Sequence, residues 1–269
     1  MSIVTISRGS YSRGKEVAEK VAEELGYECI ARDVIIEASK EFNVPEVKLV
    51  RAIHDAPSIF DRIVYGKEKY VAYFKAALLK RLQKGNVVYH GLAGHFFLKG
   101  VSHVLKVRII ADIEDRVKLE MEREGISRKE ALRILKSDDE ERRKWSKHLY
   151  GIDTWDPNLY DLVIHIRKIT ADDAVDIICH AVGLKHFQVT PESQGAMDDL
   201  VAAAEVQAAL IELRPDVQVS VHDGVVHVQT EGSGSQEEEL LHKMEDIAKK
   251  VPGVKGFEVH VVPIPYYGD

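Results

Sequence analysis

IVTIS at 3–7, Gly9-Ser10-Tyr11-Ser12-Arg13-Gly14-Lys15, and GKEVAEKVAEELG at 14–26 follow one another without interruption, and their order decides the fold. The first reads as a buried strand and the third as a helix from Gly14 to Leu25 closed by Gly26. Between them lies a G-x-x-x-x-G-K loop. A loop so placed aims successive backbone N–H groups and the positive end of the helix at phosphate oxygens, and its lysine reaches the outer phosphates. Ser or Thr usually follows that lysine to hold magnesium, but Glu16 stands there. A first-turn glutamate stabilises a helix N-terminus; facing magnesium through water is its other reading. For the loop as a whole, the alternative is an ordinary strand-to-helix turn.

Working outward, short apolar runs keep alternating with amphipathic stretches as far as Lys185. Strands are expected at 27–30, 86–90, 103–110 and 162–166, and helices at 33–42, 58–84 and 171–181. The charged segment 112–147 should form two helices broken at Gly125, with Ser127 capping the second. This is the pattern of a doubly wound parallel sheet covered by helices. Periodicity is lost in KHFQVTPESQGAMDD at 185–199, where a linker is expected at 186–197 between units 1–185 and 198–269. The second unit reads α-β-β-α-β: a helix at 199–213, VQVSV and VVHVQT joined at His222-Asp223-Gly224, a helix through Lys250, and FEVHVV at 257–262.

Charge divides at the same place. Residues 187–269 hold 15 acidic and 5 basic side chains, net -10, so the remainder carries net +3. The basic part suits anionic ligands, but neither part is basic enough to imply nucleic-acid binding. At 269 residues, 45% hydrophobic and 30% charged, the chain has the composition of a folded, water-exposed protein. It contains no uncharged apolar run near the ~18–20 residues that span a bilayer. MSIVTISRGS lacks the basic start and cleavage site of a secretory signal, so a cytoplasmic location is expected. Cys29 and Cys179, with no C-x-x-C spacing, are expected as free thiols. Among the twelve histidines, His90 with His95 and His180 with His186 are spaced poorly for one helical face. His222, His227 and His260 fall on expected strands, where packing or facing water is the simpler role. No metal ligands are assigned.

The ordered series ITISRG…GKEVAEKVAEELGY, Asp33-Val34-Ile35-Ile36, Val87-Val88-Tyr89-His90-Gly91, Glu114-Asp115-Arg116, Ile126-Ser127-Arg128-Lys129-Glu130-Ala131, Asp139-Glu140-Glu141-Arg142 and Tyr160-Asp161-Leu162-Val163-Ile164 resembles the cytidylate kinase-like family of P-loop nucleoside monophosphate kinases. The likeness covers about residues 2–184. It implies transfer of the ATP γ-phosphoryl group to a nucleoside monophosphate, nominally CMP or dCMP, with Mg2+ held mainly by ATP and water. Carried over by position, Gly9, Ser10, Tyr11, Ser12, Arg13, Gly14, Lys15 and Glu16 would hold ATP. Asp33 and Arg116 would serve substrate binding, and Arg142, with Asp139 on the same lid-like helix, would bring charge over the transferring phosphoryl. For Asp33 the other reading is a helix N-cap, and for Arg142 a solvated helix face.

Two positions depart from that family's pattern: Leu92 follows Gly91 where an arginine is usual, and His165-Ile166-Arg167 ends the fifth strand. Acceptor recognition is therefore the open point, and a nucleotide-binding sensor or scaffold is the alternative function. Residues 198–263 resemble a BON domain, on Val221-His222-Asp223-Gly224-Val225-Val226 and Val251-Pro252-Gly253-Val254-Lys255. That likeness implies an interaction module for a protein or small-molecule ligand. Oligomeric state is left open.

Overall fold

The computed structural model describes residues 2–9, 12–54, 67–91, 94–215, 217–232 and 237–263. Its larger sheet has five strands: β1 (Ile3–Arg8), β2 (Glu28–Ile30), β3 (Val87–His90), β4 (Val104–Ala111) and β5 (Leu162–Ile166). They run in the order β2-β3-β1-β4-β5, and every pairing is parallel. Parallel strands bury both faces, so each must be apolar on both sides. Val4, Ile6, Val88, Leu105, Val107 and Ile109 point to one face, where α1 (Gly14–Leu25) and α8 (Ala171–Val182) cover them. Ile3, Val87, Tyr89 and Val104 point to the other, under α2 (Asp33–Glu41), α3 (Glu46–His54) and α4 (Lys67–Leu82).

Three further helices follow β3 and β4: the short α5 (Gly94–Phe97), α6 (Ile113–Glu124) and α7 (Arg128–Tyr150). Gly125 closes α6 in the left-handed conformation, and the Ser127 side chain accepts from the Glu130 amide to start α7, as the sequence implies. The buried Trp145 fastens α7 to α3 by donating its indole N–H to the Ala52 carbonyl, 2.7 Å away. Of the helix expected at 58–84, residues 58–66 lie outside the described residues.

Of the segment expected as a linker, the part from Pro191 onward is helical rather than a loop. Residues 191–197 form the opening turns of α9 (Pro191–Leu210). Thr190 and Ser193 make a reciprocal capping box, and Pro191 occupies the first helical turn. The proline and small polar residues that suggest a loop are here the start signal of a helix. The helix is apolar around most of its circumference, and both sides are buried. Met197, Val201, Ala204 and Ala208 pack with α4 residues in the core of the large sheet, whereas Ala202, Ala203, Val206 and Leu210 enter a second core. A helix hydrophobic all round belongs between two bodies.

That second core lies beneath β6 (Gln218–His222), β7 (Val225–Gly232) and β8 (Gly256–Pro263), with α10 (Glu237–Ala248). The α-β-β-α-β order matches the sequence. β6 and β7 form an antiparallel hairpin, and β7 pairs with β8 in parallel. Asp223 and Gly224 both have positive φ, 51° and 83°, as a two-residue hairpin turn demands. The Asp199 carboxylate on α9 accepts from both turn amides, at 2.8 and 3.0 Å.

Candidate active site

The strand order reverses at β1, whose neighbours β3 and β4 lie on opposite sides, and such a switch point opens a crevice beyond the carboxyl ends of the strands. The glycine loop stands there. Ser10 and Tyr11 lie outside the described residues. Gly9 sits beside Arg116: a Cβ added to Gly9 would stand 3.5 Å from that guanidinium carbon. Ser12 is fully buried, its hydroxyl 3.1 Å from the Gly9 carbonyl and 3.2 Å from that of Ile109, which ties the loop to β4. Arg13 takes a left-handed conformation at the helix start, φ 61°. Gly14 has no room for a side chain, because a Cβ there would come within 2.6 Å of the Arg8 Cβ.

Lys15 is exposed and pairs with Glu19 one turn on, at 3.5 Å. Glu16 pairs with Arg13 and Lys20, and Lys20 reaches Asp172 on α8 at 2.7 Å. This placement fits the helix-stabilising reading of Glu16. Lys15 and Asp33 line one cleft of about 550 Å³ on the β3 side of the loop, together with Arg8, Cys29, Tyr89 and His90. Arg32, not Asp33, is the N-cap of α2, and it makes no side-chain cap. Asp33 is thereby placed at the cleft without serving as a cap. His90 is buried, and its Nδ1 has no hydrogen-bond partner among the described residues. Burial, reinforced by the nearby Arg8, holds its pKa down to about 4. Leu92 lies outside the described residues.

On the other side of the loop, α6 and α7 bring charge together. Arg116 Nη1 meets Asp139 Oδ2 at 2.8 Å. Both line a second cleft of about 330 Å³ with Gly9, Ser12 and Arg108. One turn along α7, Arg142 Nη1 lies 3.5 Å from the Arg8 carbonyl at the mouth of β1. Arg142 therefore reaches the loop, while its neighbour Arg143 turns away to a two-pronged pair with Asp153 and stacks over Trp155. A third cleft, about 400 Å³, runs from Arg13 to Lys118 and to Ile166, Arg167 and Ile169 after β5. At its edge His165 and Arg167 both pair with Asp112, at 3.0 and 3.2 Å. Arg8 and Arg108 are site residues that the sequence reading missed; each ends or lines a strand beside the loop, a position that only the sheet order makes meaningful.

A parallel sheet whose central strand ends in a glycine loop, beneath a helix that extends an arginine to it, is the frame of a phosphoryl-transfer protein. Residues 3–168 match the cytidylate kinase-like family. The chain is 31% identical to a cytidylate kinase of Archaeoglobus fulgidus over 191 residues, covering 69% of this chain and 97% of that protein. With a cytidylate kinase of Pyrococcus horikoshii it shares 27% identity over 183 residues, 67% of this chain and 88% of that one. A solved structure of an uncharacterized protein from Eubacterium ventriosum has the same fold, with a TM-score of 0.53 at 21% identity over 67% of this chain and 97% of that chain. The chain belongs to the cytidylate kinase-like family.

Neither histidine pair singled out from spacing forms a ligating cluster among the described residues. His95 instead packs among aromatic rings, 4.0 Å from Phe96 and 4.8 Å from Tyr160 between centroids. Cys29 and Cys179 are free and half-buried.

Proposed function

We propose that this chain transfers the γ-phosphoryl group of ATP, supplied with Mg2+, to a nucleoside monophosphate, with CMP or dCMP as the nominal acceptor. The observation that carries the reading is the reach of Arg142 on α7 to the carbonyl of Arg8, where β1 enters the loop. Phosphoryl transfer depends on positioning and on neutralising charge as it spreads over the transferred oxygens. In this reading an oxygen of the acceptor phosphate attacks the γ-phosphorus in line and ADP leaves. The loop 9–15 and Lys15 hold the ATP phosphates, with Lys15 exchanging Glu19 for a phosphate. Arg142 stabilises the transferring group, and Asp139 fixes Arg116 beside Gly9. Asp33 contacts the acceptor in the cleft it shares with Lys15, Glu19, Arg8 and Arg32, a mix of carboxylates and cations that suits a charged, polar ligand.

Nucleotide kinase chemistry in general is supported by family membership and by the names of the relatives. The acceptor base is tested by a phosphotransfer screen of all nucleoside monophosphates with ATP binding measured alongside. Leu92, in the place of the usual arginine, favours a second reading, a nucleotide-binding sensor or scaffold. ATP binding without any phosphorylated acceptor would select it.

The division at 186–197 is kept as a proposal about function: a catalytic unit at 1–185 and an accessory unit at 198–269, joined through α9. The α-β-β-α-β order and the Asp-Gly hairpin support a BON-like interaction module. Free thiols and a dependence on ATP support the cytoplasm as the compartment. Among the described residues no helix is long and apolar enough to cross a membrane.

A further inference from the structure

The outer face of the small sheet gathers ligating side chains that lie far apart in sequence. Val226 and Val228 point into the core, so strand alternation turns His227 outward. In the parallel register of β7 and β8, Glu258 stands opposite His227, and His260 opposite Gln229. Glu258 Oε2 lies 3.1 Å from His227 Nδ1. The rings of His227 and His260 are nearly parallel, 11° apart, with centroids 6.3 Å apart. One ligating atom from each of His227, Glu258 and His260 falls within 4.8 Å of the other two. On the other flank the ring of His222 follows at 5.8 Å from His227.

We propose that His227, Glu258 and His260 bind a divalent transition-metal ion, with Zn2+ as the representative. Two imidazoles and one carboxylate are a donor set suited to zinc and its neighbours, and a poor one for Mg2+ or Ca2+, which take oxygen ligands. Bonds of about 2.0–2.1 Å place tetrahedral ligands roughly 3.4 Å apart. The His227–Glu258 edge already has that size, and Glu258 and His260 are exposed, so their side chains can close the remaining gap without moving the strands. Pairing of the strands holds their roots in register. The fourth position is left to water. An ordinary cross-strand ion pair needs only His227 and Glu258; the second imidazole, two residues along β8, is what makes the group a chelate. The site belongs to the accessory unit and does not depend on the phosphotransfer reading.

The test uses the full chain, freed of metal, titrated with Zn2+ against a chromophoric chelator and separately with Co2+ read by its visible ligand-field absorption. One tight site per chain is expected. His260→Gln and His227→Gln should each weaken it at least about tenfold, since even changes to groups that merely support ligands cost about 10–100-fold. Both should abolish the Co2+ bands, whereas His186→Gln, in the turn between α8 and α9, should change neither readout. The substitutions lie on an outer sheet face, and unchanged circular dichroism and melting of the metal-free variants checks the fold. Equal zinc uptake by the original chain and a His227→Gln/His260→Gln double variant would overturn the proposal, as would failure of the original chain to take zinc from the chelator.

Discussion

Arg116 and Asp139 join α6 to α7 beside the glycine loop, Nη1 to Oδ2 2.8 Å, with side chains only 10% and 20% exposed. The pair holds the guanidinium against Gly9 and fixes the helix that carries Arg142. Asp139→Ala would leave a largely buried cation without this counter-charge, and a loss of roughly 1–3 kcal/mol is expected. Thermal melting checks this, with Glu114→Ala as the comparison. Glu114 pairs with Arg128 in full view of solvent, 63% and 59% exposed, so its removal should leave the melting temperature unchanged.

Lys15 and Arg142 should separate binding from turnover. Lys15 is exposed and pairs with Glu19 in a surface contact, so Lys15→Ala should keep the fold and weaken ATP binding, measured by calorimetry. Arg142→Ala should lower kcat ~10³-fold or more while changing ATP affinity little, because charge on the transferred group develops mainly in the transition state. Equal activity of the Arg142→Ala protein would return that residue to an ordinary helix face.

Gly14→Ala places a methyl group 2.6 Å from the Arg8 Cβ and 2.7 Å from its Cδ. Neither the loop nor β1 can yield freely there, because Ser12 ties the loop to the Ile109 carbonyl. Overpacking of this kind costs about 1–3 kcal/mol, and displacement of Arg8 should also weaken nucleotide binding. Chemical denaturation together with ATP titration reads both effects.

Acid should begin to destabilise the fold as pH falls below about 6.5, the ordinary histidine value. Burial holds His90 at about 4 and His95 at about 3, against an ordinary 6.5. Between these values the unfolded chain takes up protons that the native chain refuses, so stability is complete above pH 6.5 and falls as pH drops through about 4. Each histidine adds a slope of up to about 1.4 kcal/mol per pH unit in that window. His95→Phe should flatten the fall in melting temperature, and an unchanged pH profile would exclude His95 as a source.

The parts legible in the sequence were those with local causes. The strand-loop-helix order, Ser127 as a cap, Gly125 as a stop and the Asp223-Gly224 turn each depend on neighbours within a few residues. What escaped depends on tertiary context. Proline, serine and glycine at 191–195 carry the same signals whether a loop or a capped helix follows, and burial on both sides of α9 settles the matter. Arg8 gains meaning only once β1 is known to be central. His227, Glu258 and His260 meet through a strand register that spacing along the chain cannot express. Arg142 and Asp139 were found by the order of motifs rather than by geometry, and the fold brings both to the loop region.

Helix α9 packs into both cores. Its Met197, Val201, Ala204 and Ala208 are at most 5% exposed and share a core with Tyr73, Ala76, Ala77 and Leu78 of α4. Charged contacts repeat the attachment: Lys80 pairs with Glu205 at 3.1 Å, and the Tyr73 hydroxyl donates to Glu212 at 2.7 Å. Thr190 and Ser193 then fix where the helix begins, and His103 at the edge of β4 holds the Ser193 hydroxyl at 2.8 Å. A chain ending at residue 190 would uncover the α4 face and lose both the apolar contact and these anchors. It should unfold at a lower denaturant concentration than the full chain and bind a hydrophobic dye, while a chain ending at 214 retains α9 on α4 and recovers part of the difference. An unfolding midpoint for the 1–190 fragment equal to that of the full chain would mean that α9 merely rests on α4 and that the two units fold independently.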